Sequence, residues 1–95
     1  MAMVVGVFYF ELFIPGCRSR KDKRMVVNSM KKRLRNSHNI AVSEVGFLEQ
    51  RQRCAIGAST VCMRRGDAEK VFNAIYDQIA DNFPVEITLA EKEIS

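Results

Sequence analysis

Two segments with a helical apolar repeat are set among four shorter segments that read as strands, in the order β-α-β-β-α-β. This order constrains the chain more than any other feature. Val4 to Ile14 reads as the first strand. Its even positions are Val4, Gly6, Phe8, Phe10, Leu12 and Ile14, and its odd positions are Val5, Val7, Tyr9, Glu11 and Phe13. Only the odd set carries a charge, so the even set should face the core. Pro15-Gly16 ends the strand. Ser19 and Asp22 then form an S-x-x-D capping box that starts a helix running to about Ser37, with Val26, Val27, Met30 and Leu34 as its apolar stripe. Asn36 to Asn39 breaks it, Ile40 to Val45 is a short strand, and Gly46 to Gln52 is a polar loop. Arg53 to Cys62 is the third strand, with Cys54, Ile56, Ala58, Thr60 and Cys62 on one face. Arg64 to Asp67 leads into a second helix, whose stripe is Ala68, Val71, Phe72, Ile75 and Ile79. Asn82-Phe83-Pro84 ends that helix, because a proline restricts the residue before it. In a last strand Val85, Ile87 and Leu89 alternate with Glu86, Thr88 and Ala90.

The order β-α-β-β-α-β predicts an α+β domain of the ferredoxin-like, split βαβ type. Right-handed crossovers place both helices on one face of a four-stranded antiparallel sheet and leave the other face uncovered. The 95 residues fit one such domain, 1–95, with a thin two-layer core. No apolar run reaches the roughly 20 residues of a bilayer span, so no membrane partner is expected. Met1 to Ile14 carries Glu11, has no basic start and is followed by no small-residue cleavage site. It therefore reads as a strand rather than a signal peptide, and the expected location is the cytoplasm. Three cysteines argue against a disulfide framework. Cys54 and Cys62, eight residues apart on one strand, are separated by roughly 26 Å. With no C-x-x-C pair and His38 the sole histidine, no structural metal or cofactor is expected.

The run Ile14-Pro15-Gly16-Cys17-Arg18-Ser19-Arg20-Lys21-Asp22-Lys23-Arg24 resembles the YlxP-like bacterial family, usually labelled a domain of unknown function. Val4-Val5-Gly6-Val7, Val42-Ser43-Glu44-Val45-Gly46, Gln52-Arg53 with Ile56-Gly57, and Ala68-Glu69-Lys70-Val71 extend the resemblance over nearly the whole chain. It implies a ferredoxin-like fold and a bacterial protein whose gene often lies near translation and ribosome-maturation genes. It brings no established activity or catalytic residue. The chain departs from the family at Arg20, where leucine is usual, at Arg51, where tryptophan is common, and at Met63-Arg64, which replaces a polar pair before the second helix.

Charge is unevenly placed. From Arg18 to Arg35 nine basic residues (Arg18, Arg20, Lys21, Lys23, Arg24, Lys31, Lys32, Arg33 and Arg35) meet only Asp22, whereas from Asp67 to Ser95 seven acids meet two lysines. Lys21, Arg24, Asn28, Lys31 or Lys32, and Arg35 recur at helical spacing and predict a basic stripe on the helix face away from the sheet. Such a stripe suits phosphates, in a salt-dependent way, and equally serves as a solvated outer face. Arg51, Arg53, Arg64 and Arg65 are candidates to widen it.

Gly16-Cys17-Arg18-Ser19 is a candidate anion loop, since free N–H groups at a helix start and an arginine suit an anion. Acylphosphatases use this loop of the fold, but their motif is absent and strand three offers no asparagine. A plain capped turn is the simpler expectation. Cys17 sits where a helix start and Arg18 lower a thiol pKa. His38 lies roughly 28 Å away at the other helix end, which removes Cys–His catalysis, so a structural cysteine is expected.

On the open sheet face the candidate surface is Val5, Val7, Tyr9, Glu11, Phe13, Ala55, Gly57, Ser59 and Val61. Strand three lacks the aromatics with which RNA-recognition motifs stack bases. The flat apolar face predicts a homodimer through Val5, Val7, Tyr9 and Phe13, or closure by the C-terminal tail. The resulting expectation is a non-enzymatic RNA- or ribosome-associated accessory protein that binds through Arg18, Ser19, Lys21, Arg24, Lys31, Lys32 and Arg35. The alternative is a protein-interaction module.

Overall fold

The computed structural model describes residues 2–95; Met1, part of the apolar start, lies outside them. The elements run β1 (Val4–Phe13), α1 (Arg20–Ser37), β2 (Ala41–Gly46), β3 (Arg53–Cys62), α2 (Arg65–Asn82) and β4 (Glu86–Ile94). They form one four-stranded antiparallel sheet of order β2-β3-β1-β4, the ferredoxin-like arrangement. β1 and β3 pair along their full length, from Val4 opposite Cys62 to Phe13 opposite Arg53.

The alternation in β1 holds. Gly6, Phe8, Phe10 and Leu12 are buried, and Val7 is exposed. Both helices cover the even-numbered face, α1 over β2 and α2 over β1, β3 and β4. The core joins Phe8, Phe10 and Leu12 to Val27, Met30 and Leu34 of α1 and to Ile75 and Ile79 of α2. Phe10 stacks on Phe72 with ring centroids 5.3 Å apart, and Phe8 meets the same ring edge-on at 5.4 Å. Gly6 makes room for Phe8: a Cβ there would lie 2.8 Å from Phe8 Cζ.

Three expectations change. In β4 the alternation is broken, because Leu89 pairs with Glu11 and Ile87 with Leu12, leaving Thr88 as the bulged residue. Its hydroxyl donates to the Glu11 carbonyl at 3.1 Å. One extra residue exchanges the faces of everything after it. Leu89 therefore joins the open face, and Ala90 packs on the core. The tail does not close the open face either. It continues β4 beside β1, where Ser95 and Val5 exchange backbone hydrogen bonds at 2.8 and 3.0 Å. Finally, Ala55, expected on the open face, is fully buried. A bulge between Glu44 and Gly46 brings Gly46 against its methyl group, beside the stack of Arg53 on Phe47.

Candidate nucleic-acid interface

α1 starts at the predicted Ser19 cap, but with only half of the capping box formed. Ser19 Oγ accepts from the Asp22 N–H at 3.1 Å, and the Asp22 carboxylate accepts from the Arg18 N–H at 3.2 Å. Along the helix, 18 residues or roughly 27 Å long, two flanks differ. The α2 flank is in use: Gln78 Nε2 donates to Ser37 Oγ, and the Arg33 guanidinium lies 4.6 Å from the Phe83 ring centroid. The opposite flank, above the free edge of β2, carries Lys21, Arg24, Lys31, Lys32 and Arg35. At 100° per residue these fall within an arc of about 100°. The stripe thus lies on a flank rather than on the helix crest, and Lys31 is half-buried there. Among the described residues Arg18, Lys21, Arg24, Lys31, Lys32 and Arg35 have no acidic partner within ion-pair distance.

Three of the nine basic residues leave that surface. Arg20 pairs with Glu49 at 2.7 Å, Arg33 covers Phe83, and Lys23 is buried at 5% exposure. Lys23 reaches Glu44 Oε2 at 3.0 Å and donates to the Phe47 carbonyl at 2.7 Å. Phe47 adopts φ 58°, a left-handed conformation uncommon outside glycine, and presents that carbonyl to the ammonium. The Glu44 contact is an ion pair without hydrogen-bond geometry. Lys23 belongs on the buried stripe by its spacing to Val27, Met30 and Leu34, a signal that the count of basic residues hid.

The loop before α1 is a capped turn. Ser19 acts as the cap, and the Asp22 carboxylate already occupies the positive end of the helix dipole. Arg18 and Arg51 flank an open groove beside it, where Gln52 donates to the Pro15 and Cys17 carbonyls at 3.2 and 3.4 Å. Arg51 thus joins the basic surface, and Arg53 does not. The Arg53 guanidinium sits on the open face, 3.4 Å from Glu11 and 4.0 Å from the Phe47 centroid. Arg64 and Arg65 stand at the start of α2, and Arg65 donates to the Ile94 carbonyl at 2.8 Å.

Cys17 and Cys54 are buried, and their surroundings disfavour the thiolate. Burial and the Asp22 carboxylate raise the Cys17 pKa, reversing the lowering that its position suggested. Burial and the neighbouring Glu44 push Cys54 up to about 12. His38 caps the far end of α1 and bonds Gln78 at 2.8 Å. Native protein at pH 8 is expected to expose only the half-buried Cys62 to a disulfide reagent such as DTNB, and to release all three thiols in denaturant. Fast reaction at Cys17 would contradict this burial.

The open face is apolar in the middle and acidic along β4. Val7, Val45 and Val61 are 52, 54 and 57% exposed, while Val5, Tyr9 and Phe13 are half-buried. The register sets Glu86, Glu91 and Glu93 on the same side as Phe13, Tyr9 and Val7. Tyr9 donates to Glu11 at 2.8 Å, which raises its phenol pKa.

Fold and charge together define a ferredoxin-like α+β protein whose basic helix lies over one sheet edge and whose acidic helix and strand lie at the other. The chain belongs to the family described as "Protein of unknown function (DUF503)", which residues 5–92 match. It is 31% identical over 91 residues to the uncharacterized protein YlxP of Bacillus subtilis (strain 168), covering 95% of this chain and 98% of that protein. No helix is long and apolar enough to cross a membrane among the described residues.

Proposed function

We propose that this protein is a non-catalytic RNA- or ribosome-associated accessory factor that binds through α1. The observation that carries the reading is the flank of α1 with its six acid-free cations, Arg18 included. Cations already held by carboxylates gain little from a phosphate, whereas free ones release counterions from it. The expected result is co-sedimentation of the tagged protein with one ribosomal subunit at low salt, weakened at moderate salt and by Lys31→Glu with Arg35→Glu. Protein that stays at the top of the gradient in both salts overturns the reading.

A second reading is homodimerisation through the open face, favoured by the three exposed valines on one sheet surface. Light scattering should then give twice the chain mass, falling to the chain mass in Val7→Lys. A parent protein of monomeric mass removes this reading.

A further inference from the structure

The RNA reading leaves open which form of nucleic acid the basic flank takes, and the structure bears on that choice in three ways. First, α1 contains no aromatic residue. Single strands are held largely by stacking bases on aromatic rings or guanidinium planes. The rings nearest to charge elsewhere are already covered: Phe47 by Arg53, Phe83 by Arg33 and Phe72 by Lys92.

Second, the surface that would serve as a stacking platform in this architecture repels phosphate. The open face holds Glu11, Glu86, Glu91 and Glu93 on the strand register, and its one cation among the described residues, Arg53, is paired with Glu11. A strand laid across Tyr9 and Phe13 would run beside this row of carboxylates. Like charges at such spacing are costly, and hydration of the carboxylates is lost as well.

Third, the cations are arranged as a rigid line. From Lys21 to Arg35 the flank spans roughly 21 Å at 1.5 Å per residue. A regular helix of cations matches a partner whose phosphates are themselves in a regular line, since only the lysine and arginine side chains, and neither backbone, must be ordered on binding. A flexible strand would lose conformational freedom with no aromatic ring on α1 to stack on, only the guanidinium planes of Arg18, Arg24 and Arg35.

We infer that the α1 flank binds the phosphate backbone of a nucleic-acid duplex, without reading sequence and without using the sheet face. This rests on the RNA reading above. It commits that reading to helical regions of a folded RNA, and a DNA duplex shares the backbone chemistry.

The test is fluorescence anisotropy of the full chain with an RNA of about 20 nucleotides as a single strand and as its perfect duplex, and with the DNA duplex of the same sequence. The RNA duplex should bind about tenfold or more tighter than the single strand. The slope of log K against log[salt] should be near −5 if the six cations each meet a phosphate. Lys21→Glu with Lys32→Glu, both exposed, should make that slope shallower by about 2, whereas Tyr9→Ala should change nothing. Equal binding of the two duplexes supports recognition of the phosphate line alone, and tighter RNA binding supports recognition of A-form shape. A single strand that binds as tightly as the duplex, still weakened by the charge reversals, overturns the duplex assignment and leaves α1 as the RNA surface. Failure of every nucleic acid to bind overturns both.

Discussion

Lys23→Ala is expected to destabilise the protein by about 3 kcal/mol, a large share of the total for a domain of this size. Lys23 is 5% exposed, and its ammonium ties α1 to Glu44 on β2 and to the Phe47 carbonyl in the loop that follows. Without the lysine, the Glu44 carboxylate faces the core with no compensating charge. Removing one partner of a buried pair costs about 3–5 kcal/mol, much of it the penalty of the orphaned charge. The lower end applies here because the Glu44 side chain remains 22% exposed. Urea denaturation measures the difference directly. The double variant Lys23→Met with Glu44→Leu separates charge from packing, since replacing both ions by apolar groups is often close to neutral. A single variant as stable as the parent would show that the pair holds nothing together.

Phe10→Ala is expected to cost about 3–5 kcal/mol, the usual range for removing a buried aromatic side chain. Phe10 has no exposed surface and stacks on Phe72 at the centre of the sheet. It also meets Tyr76, with ring centroids 6.5 Å apart. The void would lie between β1 and α2, both pinned by sheet pairing and by Phe8, so collapse around it is limited. Phe10→Leu keeps most of the volume and should lose less. Thermal unfolding of the two variants beside the parent tests the order, and a Phe10→Ala protein within about 1 kcal/mol of the parent would contradict it.

These two side chains show different degrees of legibility. Phe10 was readable because strand alternation has a period of two, and one charge at Glu11 settled which set faces inward. The cap at Ser19 was equally local: the structure forms its bond to the Asp22 N–H, while the Asp22 carboxylate reaches back to the Arg18 N–H, one residue before the cap. Lys23 was readable in principle. It stands four residues before Val27 on the buried stripe, and Glu44 stands on the core side of β2 opposite Ile56. Counting it among surface cations overlooked that two opposite charges at inward positions on packed elements are each other's partner.

The basic character of α1 and the acidic character of the last third of the chain came from the sequence alone, because charge is a property of composition along the chain. So did the order of elements and the inward face of each helix, because both are set by periodicities a few residues long. Which cations remain free was decided only in the tertiary structure. Arg20, Arg33 and Arg53 meet Glu49, Phe83 and Phe47, partners separated from them by loops or whole elements. The side of β4 on which Leu89 falls was likewise decided by the bulge at Thr88, where the hydrogen-bond ladder with β1 takes up one extra residue. Local periodicity carries no record of contacts between distant segments, and those contacts left the flank of α1 above β2 as the acid-free surface.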